Sequence, residues 1–69
     1  MPRNHIISAM ASEIDSLASY WIERGNNLFR LGNYDEAIKA YEKAINIDPK
    51  NAESWNSMGL ALCYLEKHK

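Results

Sequence analysis

The sequence predicts an all-α protein built of antiparallel helical hairpins, three helices with a long first one. Three observations predict it. Apolar residues recur at three- and four-residue spacing along three separate stretches, the signature of amphipathic helices. After Arg3 only two breakers of consequence interrupt the chain, Leu31-Gly32-Asn33 and Asp48-Pro49-Lys50-Asn51. Residues 18–35 also match residues 52–69 at a constant offset of 34, which marks an internal repeat.

The first stretch holds no Gly or Pro between Arg3 and Arg24. Projected at 100° per residue, Ile6, Met10, Ile14, Leu17, Trp21 and Leu28 fall within an arc of about 80°. That pattern fits one continuous helix from about His5 to Leu31, roughly 40 Å long at 1.5 Å per residue. A break near Asp15-Ser16, with Ser16 capping a restart, is the alternative. The middle stretch is the clearest helix. Asn33 and Glu36 have the spacing of a capping box. Asp35 and Glu36 put negative charge in the first turn, where the helix dipole favours it. Ala37, Ala40, Tyr41, Ala44 and Ile45 share one face, Lys39 and Lys43 the other, and Asp35–Lys39 has ion-pair spacing. Pro49 ends this helix by pushing Asp48 out of helical geometry. The last stretch starts at Asn51, a fitting cap, with Trp55, Met58, Leu62 and Leu65 as its stripe. Lys67, His68 and Lys69 suit a helix C-terminus.

Composition bounds the rest. A chain of 69 residues with 46% hydrophobic and 25% charged content is a single small folded domain, and marginal in size. A net charge of −1 supplies no field for steering nucleic acid or an anionic membrane. One cysteine, Cys63, excludes an intrachain disulfide and favours a reducing, cytoplasmic compartment. The start, Met1 to Ile7, has too short an apolar run for a signal peptide. No stretch approaches the ~18 apolar residues of a membrane span.

The repeat carries the most information. Ala18 matches Ala52, Trp21 matches Trp55, Gly25 matches Gly59, Leu28 matches Leu62 and Leu31 matches Leu65. These five identities in eighteen positions compare with about one expected by chance, and they fall at helical spacing. They read as packing positions. A large Trp needs a hollow, and a Gly one turn away lets a neighbouring helix come close enough to form it. Gly inside a helix costs about 1 kcal/mol against Ala, so two at one phase point to a close helix contact. Ala37 and Ala44, flanking Tyr41, are the natural partners.

This pattern resembles the tetratricopeptide (TPR) family. The stretch Trp21-Ile22-Glu23-Arg24-Gly25-Asn26-Asn27-Leu28 stands for the family's Trp-x-x-Leu-Gly-x-x-Tyr, followed by Ala37, Tyr41, Ala44 and Pro49. The resemblance implies a fragment of an α-α superhelix, or solenoid. Residues 1–17 would be an N-terminal helical extension continuous with the first repeat helix. Residues 18–51 would be a complete repeat, and residues 52–69 the first helix of a second, truncated one. Arg24 stands where the family usually has Leu, and Leu28 and Leu62 where it often has Tyr. Glu66 and Lys67 fall where the next turn belongs. The last helix is not the polar cap with which such arrays commonly end, so the chain reads as a truncated fragment.

No catalytic constellation competes with this reading, and no cofactor motif is present. His5, His68 and Cys63 lack metal-ligand spacing. Ser8, Ser12, Ser16 and Ser19 have no nucleophile-elbow context. Asp35-Glu36 and Glu42-Lys43 are solvated faces. The Trp and Tyr residues are core residues at helical period and not a base-stacking platform, since no basic patch accompanies them. What remains is surface for a protein or peptide. The resemblance implies a concave groove lined by the first helix of each repeat, here Ile22, Asn26, Phe29 and Arg30, then Asn56, Leu60, Cys63 and Tyr64. Some relatives hold a peptide's C-terminal carboxylate with a Lys and an Asn. Asn26 matches that Asn, but Ile22 replaces the Lys and Ser57 stands where a second Asn would be. An apolar helical or extended segment fits Phe29, Leu60 and Tyr64 better. Self-association is the alternative. Ile6, Ile7, Met10, Ile14 and Leu17 extend beyond the repeat, and the last helix lacks its partner. Such exposed apolar patches mark interfaces, here a two-fold homodimer.

Overall fold

The computed structural model describes the backbone of residues 2–67 and the side chains of residues 13–67. It is all-α: three helices, α1 (Pro2–Arg30), α2 (Tyr34–Ile47) and α3 (Ala52–Lys67), make an antiparallel hairpin and a third helix stacked on it. α1 runs without a break through Asp15 and Ser16, and begins three residues before the expected His5. α2 is the central element. It packs along both neighbours, while α1 and α3 touch over a short stretch only. At 14 residues, α2 covers only the C-terminal half of the 29-residue α1. The molecule is therefore an elongated body of 53 × 17 × 13 Å.

Each turn has a chemical cause. Gly32 has φ +84°, the left-handed region in which only Gly is unstrained. The Asn33 N–H bonds back to the Leu28 carbonyl at 2.9 Å and the Gly32 N–H to the Phe29 carbonyl at 3.0 Å. This is a Schellman closure, which satisfies the orphan carbonyls at the end of α1. The expected capping box is not formed. The Asn33 side chain makes no cap bond, and the Asn33 backbone N–H that Glu36 would reach is already bonded to the Leu28 carbonyl. Glu36 instead pairs with Lys39 at 3.6 Å, which replaces the expected Asp35–Lys39 pair. The second turn is held on both sides. The Lys50 N–H donates to Asp48 Oδ1 at 3.3 Å, and the Ser54 N–H donates to Asn51 Oδ1 at 3.2 Å, the cap anticipated at Asn51. Trp55 Nε1 donates to the Pro49 carbonyl at 2.8 Å, tying α3 to the turn before it.

The core is small and made mostly of small side chains: Ala18, Ile22, Ala37, Ala40, Tyr41, Ala44 and Ala61. Tyr41 is the one large side chain fully buried among them. Its ring lies against Gly25, where an added Cβ would stand 2.5 Å from the ring edge. The hollow beside the repeat glycine is thus filled by Tyr41 of α2. The expectation that it serves Trp21 is corrected. Trp21 flanks the contact, half-buried, edge-on to Tyr20 at 5.2 Å and beneath Lys43 Nζ at 5.0 Å. The buried stripe of α1 is accordingly Ala18–Ile22–Gly25, rotated from the bulky stripe that hydrophobicity picks out. Ile14 and Leu17 on that bulky stripe are exposed.

α3 carries the same lesson. Its buried face is Ser54–Ala61, with Met58 and Leu65 half-buried beside them. The Ser54 hydroxyl has no hydrogen-bond partner among the described residues, so Ser54 serves as a small residue that admits α2. Trp55 and Leu62, expected as packing residues, are 50% and 44% exposed. Among the described residues, no atom beyond α3's own adjacent backbone stands within 4 Å of an added Cβ at Gly59. The two repeat glycines therefore predict opposite outcomes. Gly25→Ala pushes the Tyr41 ring off its seat and lowers stability by about 1–3 kcal/mol. Gly59→Ala meets no obstacle and adds up to about 1 kcal/mol through helix propensity. Thermal unfolding followed by circular dichroism checks both. At roughly 4–8 °C per kcal/mol for a chain of this size, the two midpoints move in opposite directions from the parent.

Candidate protein-binding groove

Packing both α1 and α3 on α2 leaves the two outer helices side by side with a shallow furrow between them. Asn26 and Phe29 of α1, Ser57 and Leu60 of α3, and the edge of Tyr41 beneath line a concave site of about 120 Å³. The Tyr41 hydroxyl donates to Asn26 Oδ1 at 2.6 Å across the floor. Asn26 is thus held in one orientation by the same tyrosine that fills the Gly25 hollow. Leu60 stands 56% exposed on the α3 wall.

One end of the furrow is aromatic. Phe29 meets Tyr34 at 5.3 Å and Tyr64 at 4.9 Å between ring centroids, and Tyr34 lies 5.6 Å from Tyr64. The two edge-to-face pairs of Phe29 add about 0.5–1.5 kcal/mol each beyond area burial, and the Tyr34–Tyr64 pair is tilted at 42°. One aromatic from each helix fixes how far α3 can swing from the hairpin. Lys67 Nζ lies 5.8 Å from the Tyr64 ring.

Three of the eight groove residues expected from sequence line the concave site, Asn26, Phe29 and Leu60, and Tyr64 stands against Phe29 at 4.9 Å, outside that lining. Arg30 is exposed at the rim, its guanidinium donating to Asn27 Oδ1 at 3.1 Å. Asn56 and Cys63 are exposed on α3, outside the lining of the concave site. Ile22 is corrected. It is 4% exposed, part of the core, because the α1 face bearing Gly25 turns inward. Ser57 and Tyr41 belong to the site and were not expected as lining residues. The signal for Tyr41 was present: a ring seated on Gly25 must bring its hydroxyl out beside the next residue, Asn26. Of the residues expected for self-association, Ile14 and Leu17 are exposed. Ile6, Ile7 and Met10, like His5, Ser8 and Ser12, have side chains outside those described, and His68 lies outside the described residues. Among the described residues, no group of three or more His, Cys, Asp or Glu side chains is placed to hold a metal. No helix among them is long and apolar enough to cross a membrane.

A protein-family model described as TPR repeat matches residues 25–63. The chain is 41% identical over 46 residues to RNA polymerase II-associated protein 3 of Xenopus tropicalis, covering 67% of this chain and 7% of that protein. It is 52% identical over 31 residues to a DnaJ homolog subfamily C member 7 homolog of Schizosaccharomyces pombe, 45% of this chain and 6% of that protein. A TPR repeat-containing protein of Methanocaldococcus jannaschii is 38% identical over 48 residues, 70% of this chain and 8% of its own length. The chain spans less than a tenth of each of these relatives. No solved structure matches it significantly.

Burial raises the Tyr41 pKa above its ordinary value; nearby Glu53 adds to this, while Ser57 and Arg30 oppose it. A raised phenol pKa in the folded state makes a contribution that is complete below the unfolded value near 10 and is lost as pH rises through the folded value. Unfolding midpoints measured from pH 8 upward should therefore fall as pH rises above about 10. Tyr41→Phe should lower the midpoint at pH 8 by the loss of one partly buried hydrogen bond, about 1 kcal/mol, and flatten the alkaline fall.

Proposed function

The chain belongs to the tetratricopeptide repeat family, and we propose that it is a non-catalytic scaffold that presents the α1–α3 furrow to a protein or peptide. One observation carries this reading. Tyr41 fixes Asn26 at the floor of a site whose walls, Phe29 and Leu60, are apolar and partly open to solvent. A pre-oriented amide between apolar walls suits an extended or helical segment. The amide engages a backbone or side-chain polar group, and the walls take an apolar side chain. Arg30 at the rim adds a positive charge that selects against basic segments. The exposed free thiol of Cys63 fits a reducing, cytoplasmic setting.

Self-association is a second reading, favoured by the solvent exposure of Ile14, Leu17 and Tyr20 on α1 and of Trp55 and Leu62 on α3. In this reading two copies form a two-fold dimer, the N-terminal apolar helix of one covering the exposed face of α3 of the other.

Two sets of variants separate the readings. Leu60→Asp alters a side chain that is more than half exposed, so helix content by circular dichroism should be retained. Peptides selected from a random library on the parent chain should bind this variant at least about tenfold more weakly, as for an anchor residue worth 1.4 kcal/mol or more. A library that yields only binders indifferent to Leu60→Asp would remove the groove from the account. Leu17→Asp tests the second reading by sedimentation velocity at micromolar concentration. If the parent is dimeric, the variant should be monomeric. A parent that sediments as a fully helical monomer contradicts self-association.

A further inference from the structure

The furrow between α1 and α3 is charged at both ends, and the two ends have opposite sign. Its register comes from the side chains that meet across it. Asn26 shares the concave site with Ser57 and Leu60, and Phe29, one turn further on, stands against Tyr64 at 4.9 Å. A step towards the C-terminus of α1 is therefore also a step towards the C-terminus of α3, and the two walls run in the same direction.

Each wall carries its charges in the same order. Projected at 100° per residue, Glu23, Asn26 and Arg30 of α1 fall within an arc of about 60°. On α3, Glu53, Ser57, Leu60, Tyr64 and Lys67 fall within about 80°. Glu23, Arg30, Glu53 and Lys67 are all exposed. Along the chain both walls therefore pass from a carboxylate, through a polar and apolar centre, to a cation. Besides burial, which raises the Tyr41 pKa most, Glu53 raises it and Ser57 and Arg30 lower it, so both charges reach the hydroxyl at the floor. Lys67 Nζ stands 5.8 Å from the Tyr64 ring, at the aromatic end.

Other charges leave this pattern intact. Arg24 and Glu66 project about 160–180° away from the furrow on the same two helices. Glu42 lines a separate cleft with Trp55 and Met58, and Lys43 lies over Trp21. Among the described residues none of the four furrow charges is held in an ion pair; the pair that forms, Glu36–Lys39, lies on α2.

Separation decides what a ligand senses. Glu53 and Lys67 are about 21 Å apart along α3 at 1.5 Å per residue. The Debye length at physiological salt is about 8 Å. Each end therefore acts on its own, although the four charges sum to zero. A segment of one sign meets one attractive and one repulsive end. A segment with basic residues at one end and acidic residues at the other meets two attractive ends. At about 3.3 Å per extended residue, its charges need to stand about six residues apart.

We propose that the furrow selects a charge-segregated segment of a partner protein, with basic residues at the Glu23–Glu53 end, an apolar centre on Phe29 and Leu60, and acidic residues at the Arg30–Lys67 end. The charge order also sets the direction of the segment. One whose basic residues come first runs parallel to α1 and α3, and one whose acidic residues come first runs antiparallel. This inference rests on the furrow being the peptide groove proposed above, and it requires no terminal carboxylate on the ligand.

The test uses the full chain and four mixtures of dye-labelled eight-residue peptides, blocked at both ends. The four central positions are randomised over Leu, Ile, Phe and Ala. The two flanks are Lys-Lys with Glu-Glu, Lys-Glu with Lys-Glu, Lys-Lys with Lys-Lys, or Glu-Glu with Glu-Glu. By fluorescence anisotropy at low salt, the segregated mixture should bind about threefold or more tightly than the alternating mixture of identical composition. The gap should shrink as salt is raised. Glu53→Lys should weaken the segregated mixture and strengthen the all-Glu mixture, each about threefold or more. Arg30→Glu, at the other end and on the other helix, should weaken the segregated mixture and strengthen the all-Lys mixture. Equal binding of the segregated and alternating mixtures, both weakened by Leu60→Asp, would overturn the charge order and leave the groove standing. A charge preference that neither reversal changes would place binding elsewhere and overturn the proposal. No binding of any mixture at millimolar concentration would remove the groove and this inference with it.

Discussion

The contact between the Tyr41 ring and Gly25 is the constraint from which the rest of the structure follows. Helix axes normally lie 8–10 Å apart, set by the side chains between them. Removing the side chain at residue 25 lets α2 approach with a whole phenol ring in the gap. The surrounding core can then consist almost entirely of alanine, because little space is left to fill. The ring also has a second side. Ala61 packs in the same cluster with Tyr41 and Ala37, so one side chain of α2 organises its contacts with both neighbours. The hydroxyl at the ring's tip reaches Asn26 and sets the floor of the groove. Packing and the candidate binding site are two ends of one residue.

Much of the fold was legible because its determinants are local. The breakers at Gly32 and Pro49, the charges of the first turn of α2, the cap at Asn51 and the alanine face around Tyr41 all act over a few residues, and each appears where the pattern places it. The 34-residue offset added the tertiary relation that local rules lack. What could not be read was which stripe of α1 and α3 turns inward. Hydrophobicity weights large side chains and so selects Ile14, Leu17, Trp55 and Leu62, which are exposed. The helices approach most closely along small residues, Ala18, Gly25, Ser54 and Ala61, which carry little weight on any such scale. Ile22 was misplaced for the same reason.

The site was half legible. Asn26, Phe29 and Leu60, which line the concave site, could be assigned by position in the repeat. The hydrogen bond from Tyr41 and the aromatic set with Tyr34 depend on where side chains from different helices end, which spacing along one helix does not encode. The capping box failed for a related reason. Two local motifs compete for Asn33, and the left-handed Gly32 commits its backbone to the end of α1.

The central claim is that Tyr41 needs the absence of a side chain at residue 25. A double-mutant cycle measures it directly, through equilibrium unfolding of the parent, Gly25→Ala, Tyr41→Leu and the double variant. Alanine at 25 should destabilise the chain when Tyr41 is present. In the Tyr41→Leu background, with the ring gone, it should be neutral or stabilising through helix propensity, a coupling of about 1–3 kcal/mol. Effects at the two positions that simply add would show that the ring and the glycine are neighbours without being partners, and would contradict the account.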